Sequence, residues 1–233
     1  MAVYPASVAR EPRLRRLAKL VLGWYMQLWH DLRLEGREHL PPRGPLLVLL
    51  NHASLLDVPA LMTLDPYPDT VMIAKASLFR FPVVRQLLGQ WGAVPVARHG
   101  RDTSGVRAIL GYLRAGRVVA VAAEGRRTRS GRLEAINPVL ARIAANADVP
   151  LVAVGIVGSF QALPPGAVLP RRRRIRVRVG RPFRLPRGTD AQVAAERIQA
   201  EIASLLPPEQ QPTSEDRELK PSRAAGPLAD QDA

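Results

Sequence analysis

Pro45-Leu46-Leu47-Val48-Leu49-Leu50-Asn51-His52-Ala53-Ser54-Leu55-Leu56-Asp57 is the stretch around which the rest of the 233-residue chain is ordered. Its first six residues carry no charge and follow a Pro-Pro-Arg-Gly turn at 41–44, so they read as a buried strand. The chain has four histidines, His30, His39, His52 and His99. Only His52 stands at a strand end with an acid close by and no competing basic neighbour. Ser54 followed by Asp57 fits a helix N-cap pattern, which predicts a helix from there to about Leu64.

Residues five apart on an ideal helix point about 140° away from each other. His52 and Asp57 meet only if the histidine lies in the turn and the acid in the first helical turn. Asp57 then accepts a hydrogen bond from one ring nitrogen, fixes the tautomer, and leaves the other nitrogen to take a proton. Two plainer readings fit the same spacing. Asp57 serves as the acid of a capping box with Ser54, or His52 is a partly buried structural residue.

Outward from this turn the chain alternates strands and helices. Apolar runs at 70–74, 93–96, 118–122 and 151–157 predict strands, and 82–90, 103–115, 137–147 and 189–206 predict helices. A short alternating strand is predicted at 32–36 and another at 174–179, the latter with one apolar and one arginine face. Continuous apolar strands between helices predict an α/β fold, a single domain whose mostly parallel sheet is covered on both faces.

Residues 13–30 predict an amphipathic helix, with Leu14, Leu17, Leu20, Val21, Trp24 and Leu28 at helical spacing. Arginines crowd its entry, and Trp24, Tyr25 and Trp29 crowd its exit. That composition suits docking at a membrane interface, and it suits packing on the chain's own domain equally well. The expected organisation is an N-terminal helical segment at 1–31, an α/β domain at 32–206 and a disordered tail at 207–233, rich in Pro, Glu, Asp, Ser and Gln.

The net charge of +14 favours an anionic partner, although an arginine-rich composition also follows from a GC-rich genome. The arginines at 171–174 and along 174–179 fit either an anionic lipid surface or a solvated edge strand whose charges block pairing. A nucleic-acid partner is not expected, because no recognisable binding motif accompanies the charge. With no cysteine, disulfides, thiolate metal sites and a cysteine nucleophile are excluded. No apolar stretch reaches the roughly 20 residues that cross a bilayer, and no signal peptide is evident. Nucleophile-elbow, P-loop, dinucleotide and zinc-protease motifs are all missing, and no metal or cofactor is expected.

The Asn51-His52-x-Ser54-x-x-Asp57 block after an apolar strand resembles the first motif of the glycerolipid acyltransferases. Lys75 after one strand and Arg98 after the next, within the stretch from Ala74 to Arg98, resemble the family's second region. Glu124-Gly125-Arg126-Arg127-Thr128-Arg129 is similar to the third motif, and Val149-Pro150-Leu151-Val152-Ala153-Val154 to the fourth. The four blocks occur in family order and cover about residues 35–180.

The resemblance implies a transfer of a fatty acyl group from acyl-CoA or acyl-carrier protein to the hydroxyl of 1-acylglycerol 3-phosphate, giving phosphatidic acid. It casts His52 as general base and Asp57 as its orienter. Arg98 and Arg127 would bind the acceptor's phosphate, while Glu124 and Gly125 would belong to that pocket, Glu124 orienting an arginine or a hydroxyl. Asn51, Ser54, Lys75 and Arg126 are weaker candidates. Backbone N–H groups near the His52 turn would steady the oxyanion. The implied partners are a lysophospholipid acceptor, an acyl thioester donor and an anionic membrane surface, with the enzyme peripheral on the cytoplasmic face. Departures from the family pattern at Ala123, Arg126, Thr128, Asn137-Pro138 and Ala153 bear on the acceptor, so another lysolipid or a glycolipid hydroxyl is the alternative.

Overall fold

Leu46 to Leu50 are buried without exception, as a strand must be when helices cover both faces of its sheet. The computed structural model describes residues 13–67, 70–96 and 104–214. In chain order these form α1 (Arg13–His30), β1 (Arg33–Glu35), β2 (Leu46–Leu50), α2 (Asp57–Leu64), β3 (Val71–Lys75), α3 (Pro82–Gln90) and β4 (Val94–Val96). Then follow α4 (Ser104–Arg114), β5 (Val118–Ala122), α5 (Pro138–Asn146), β6 (Leu151–Val157), α6 (Ser159–Ala162), β7 (Arg176–Val179) and α7 (Ala191–Ala203).

The seven strands form one sheet in the order β1-β7-β6-β2-β5-β3-β4. Five run parallel, and β7 reverses against β6 while pairing parallel with β1. The sheet is therefore α/β and mostly parallel, as the apolar runs predict. Alternate residues of each central strand feed two cores. Leu47, Leu49, Val119, Val121, Leu151 and Ala153 pack under α4, α5 and α7. Leu46, Val48, Leu50, Val118, Ala120, Val152 and Val154 pack with Met26, Met62 and Trp91 on the opposite face.

Register decides what meets at the sheet's carboxyl edge. Leu50 lies opposite Ala122 on one side and Val154 on the other. His52 and Glu124, each two residues past its member of the first pair, therefore leave the sheet side by side. Asn51 ties the third strand to them. Its Nδ2 donates to the Ile156 carbonyl at 3.0 Å, and its Oδ1 accepts from the Ile156 N–H at 2.7 Å.

Three expectations shift. The helix after the histidine turn starts at Asp57, and its N-cap residue, Leu56, offers no side-chain cap. The arginine strand is not an edge, because β1 covers it, and its arginines are spent on protein. Arg176 binds the carbonyl of Asp31 at 2.7 Å, and Arg178 binds Glu35 at 2.9 Å. Residues just past 207, expected in the tail, pack on the domain: residues 208–210 form a 3-10 turn, and the Gln210 carbonyl accepts from Leu133 N–H at 2.9 Å, while 215–233 lie outside the described residues.

One face of helix α1 packs on the chain's own domain. Arg15 reaches Asp65 and the Tyr67 carbonyl, Lys19 reaches the Asp65 carbonyl, and Met26 and His30 are buried. The opposite face carries Leu14, Leu17, Leu20, Val21, Trp24 and Leu28, all exposed, with Trp24 at 72%. Among the described residues no helix is long and apolar enough to cross a membrane.

Asn51→Ala strands the N–H and carbonyl of Ile156 in a buried setting, each costing about 1–3 kcal/mol. Urea titration is expected to show a loss of about 2–4 kcal/mol of unfolding free energy at unchanged m-value. An unchanged midpoint would contradict the clip.

Candidate active site

His52 is held at three points. Its N–H donates to Glu124 Oε1 at 3.0 Å, its carbonyl accepts from Thr128 N–H at 2.9 Å, and its ring Nδ1 lies 2.8 Å from Asp57 Oδ2. The Asp57 side chain is fully buried and the histidine's is 17% exposed. Asp57 Oδ2 also accepts the backbone N–H groups of Ala53 at 2.7 Å and Ser54 at 2.8 Å. A buried carboxylate facing Nδ1 favours the tautomer with the proton on Nδ1, which puts the free lone pair on Nε2. That nitrogen makes no hydrogen bond among the described residues, so the ring is arranged to accept a proton there.

The turn forms because Asp57 opens α2 and reaches back along the chain. This is half of a capping box: the acid satisfies the Ser54 N–H, but Ser54 does not return the bond to the helix. Ser54 Oγ instead donates to the Leu163 carbonyl at 2.9 Å and accepts from Leu56 N–H at 3.2 Å, stitching the turn to the segment after β6. The same bonds correct one expectation. The N–H groups of His52, Ala53 and Ser54 are all committed to carboxylates, so they do not offer an oxyanion pocket.

Glu124 is also corrected. It binds no arginine among the described residues; its Oε1 receives the His52 N–H. Among the described residues its Oε2 is buried without a hydrogen-bond partner, as is Oδ1 of Asp57. Burial pushes the Glu124 carboxyl up to about 8, and repulsion from the Glu134 and Asp57 carboxylates adds to the effect against the backbone N–H groups of His52 and Glu134. Gly125 follows with φ 74°, and a Cβ there would lie 2.8 Å from Asn137 Nδ2. Asn137 caps α5 through Val139 N–H at 2.9 Å, so the glycine lets the loop close over that cap.

The cationic candidates separate. Arg126 is paired with Glu134 Oε2 at 2.6 Å. Arg127 is exposed and makes no hydrogen bond or ion pair among the described residues. Lys75 ends β3, opposite Val96, and Arg98 lies outside the described residues. His30 and His39 hydrogen-bond the carbonyls of Arg173 and Val179, which are structural roles; His99 lies outside the described residues. Among the described residues no group of three or more His, Cys, Asp or Glu side chains converges to hold a metal ion.

Sequence reading missed Ala53, Thr128 and Ile156, all of which act through backbone groups. A backbone donor leaves no mark on residue identity, so no signal in the sequence points to them. Asn51 had such a signal, since a buried amide after an apolar strand needs partners on another strand.

A family model described as acyltransferase matches residues 31–157. The chain is 25% identical over 194 residues to the chloroplastic 1-acyl-sn-glycerol-3-phosphate acyltransferase of Arabidopsis thaliana, over 82% of this chain and 53% of that protein. It is 29% identical over 173 residues to a probable 1-acyl-sn-glycerol-3-phosphate acyltransferase of Mycoplasma genitalium, over 67% of this chain and 60% of that one. The chain thus spans about half the length of the curated relatives it matches. In fold it is similar to the crystal structure of the 1-acyl-sn-glycerophosphate (LPA) acyltransferase PlsC from Thermotoga maritima. The TM-score is 0.65 at 22% identity, over 82% of this chain and 78% of that one.

Glu124 yields a pH-dependent stability. Its folded value of about 8 exceeds the ordinary 4.5, so its contribution is full below pH 4.5 and is lost as pH rises through 8. Glu124→Gln keeps an oxygen for the His52 N–H but does not titrate. Measured by denaturation across pH, the variant is expected to gain on wild type between these values. A constant difference would refute the assignment.

Proposed function

This chain belongs to the acyltransferase family, and from that membership and the site geometry we propose the following reaction. A fatty acyl group moves from a thioester donor, acyl-CoA or acyl-carrier protein, to the free hydroxyl of 1-acylglycerol 3-phosphate, forming phosphatidic acid. The observation that carries the reading is the 2.8 Å contact of His52 Nδ1 with a buried Asp57, which leaves Nε2 open.

The hydroxyl oxygen attacks the thioester carbonyl while Nε2 takes its proton. Asp57 steadies the imidazolium so formed. Collapse of the tetrahedral adduct expels the thiolate, which recovers that proton from His52. Neither an acyl-enzyme nor a metal is required by this sequence. Arg127, exposed beside the turn and uncommitted, is the described residue suited to the acceptor's phosphate, where a guanidinium can bind two oxygens at once. Arg98, two residues past β4 in the sequence, and Lys75 are proposed to assist.

The substrate is amphiphilic, and the exposed apolar stripe of α1 supports an interfacial enzyme. Trp24 and Trp29 suit the headgroup level, and the bulk of α1 would lie in the plane of the cytoplasmic leaflet.

Release of thiol from acyl-CoA, followed with and without 1-acylglycerol 3-phosphate, tests the reaction. Acceptor-dependent release is expected in wild type, and His52→Ala is expected to lose about 10²- to 10⁴-fold in kcat/KM. A folded His52→Ala variant with full activity would rule out the base. Failure with both donors across a lysolipid panel would rule out the reaction.

Docking has its own test. Leu17→Glu combined with Trp24→Glu removes two apolar side chains, each worth about 1.5–3 kcal/mol on burial. Vesicle sedimentation is expected to show binding weakened by at least about tenfold with Tm unchanged. Equal binding by the two proteins would exclude α1 as the docking element.

A further inference from the structure

Residues 163–170, Leu-Pro-Pro-Gly-Ala-Val-Leu-Pro, carry no charge and form the loop that leaves α6 toward β7. Its base is closed by Arg171 N–H, which donates to the Ala162 carbonyl at 2.7 Å. Inside it, Ala167 N–H donates to the Pro164 carbonyl at 3.1 Å, and three prolines restrict the backbone further. Val168 is 89% exposed and Leu169 80%, more than any large apolar side chain of α1. One exposed leucine on a soluble domain is ordinary. Two adjacent apolar side chains, held out by a loop pinned at its base and stiffened by proline, call for a partner.

Hydrogen bonds tie this loop to two other exposed apolar sites. At its start, the Leu163 carbonyl accepts from Ser54 Oγ at 2.9 Å, and Leu55, next in the histidine turn, is exposed. Past its end, Ile175 N–H donates to the His30 carbonyl at 2.9 Å, and the His30 ring Nδ1 lies 3.0 Å from the Arg173 carbonyl. His30 closes α1 directly after Leu28 and Trp29, both exposed. Between the loop and this anchor the chain runs through Arg171 to Arg174, all exposed. Arg171 and Arg172 have no side-chain partner among the described residues, and Arg174 makes an exposed 3.6 Å pair with Asp31, which holds it weakly. Further along the same run, Arg176 and Arg178 are bound to Asp31 and Glu35.

Apolar side chains next to a run of cations match the interface of an anionic leaflet, where acyl chains and phosphates lie within a few ångströms of each other. A second copy of this chain would bring the same arginines and repel them. We propose that loop 163–170 is a second membrane-inserting element, separate from α1. Val168 and Leu169 enter the acyl boundary of an anionic leaflet, and Arg171 to Arg174 meet lipid phosphates. This deepens the interfacial reading of the proposed function and rests on it. A helix lying in the interface is free to roll about its own axis. A second contact, fastened by hydrogen bonds both to the end of α1 and to Ser54, removes that freedom and seats the histidine turn, with Leu55, against the headgroups.

The chain has no cysteine, so a single one can carry an environment-sensitive fluorophore. The full chain is labelled at Leu169→Cys and, as a control, at Val193→Cys, an exposed position on α7, which covers the other face of the sheet from α1. With vesicles of phosphatidylcholine and phosphatidylglycerol, emission is expected to rise at 169 and not at 193. Val168→Ser combined with Leu169→Ser is expected to weaken vesicle binding by about tenfold or more at unchanged Tm. Arg171→Gln with Arg172→Gln is expected to weaken it by about fivefold per charge, and only on vesicles that contain the anionic lipid. A bound protein with no change at 169, or equal binding by wild type and the serine variant, would overturn the proposal and leave α1 as the docking element. So would self-association in sedimentation that the serine variant abolishes while its vesicle binding is kept, which would make the loop a contact between copies. Loop-dependent vesicle binding without acyl transfer to any lysolipid would leave the loop's role standing and remove the proposed reaction instead.

Discussion

One carboxylate oxygen organises the site: Asp57 Oδ2 accepts the His52 ring and the N–H groups of Ala53 and Ser54. Three donors on one buried oxygen offset the cost of burying the charge, which an isolated carboxylate could not meet. They also fold the chain from β2 into α2 as a tight turn rather than an extended loop. The ring of His52 is thereby set by the same atom that shapes its backbone. Orientation of the ring and formation of the turn are a single event.

A second carboxylate, Glu124, holds the turn from the other side through the His52 N–H. The two acids differ in how burial is met. Asp57 has three donors on one oxygen, whereas Glu124 is pushed toward its protonated form by burial. Both reach the turn because β2 and β5 run parallel and in register, with Leu50 opposite Ala122. An antiparallel pair would have placed the two residues at opposite edges of the sheet. Asn51 then fastens β6 to the same corner, so three strand ends act as one support.

Charge and apolar surface are sorted by what each can pair with. Arg15 and Lys19 turn inward toward Asp65, while the leucines of α1 face out, the reverse of the usual arrangement on a soluble domain. Arg176 and Arg178 are held between β1 and β6 by acids. Arg172 to Arg174 are exposed. The high net charge is therefore not one uniform coat: part of it is held by acids and carbonyls of the fold, and part stands exposed.

Much of this was legible in the chain itself. The uncharged run 45–50 and its counterparts 118–122 and 151–157 called for strands buried on both faces, which fixes a parallel, helix-covered sheet. The five-residue spacing of His52 and Asp57 allowed contact only across a strand-to-helix turn, and the contact is there. Tertiary structure alone decided who pairs with whom. Ser54 bonds the Leu163 carbonyl, not the helix, and Glu124 takes a backbone N–H rather than an arginine. Strand 176–179 is interior, and Gln210 returns from the supposed tail to the domain. The physical reason is common to all four. A period of two or of 3.6 residues reports which face of an element is apolar. Hydrogen-bond partners are chosen among groups that sequence separation says nothing about, and they come within reach only when parallel strands many residues apart align.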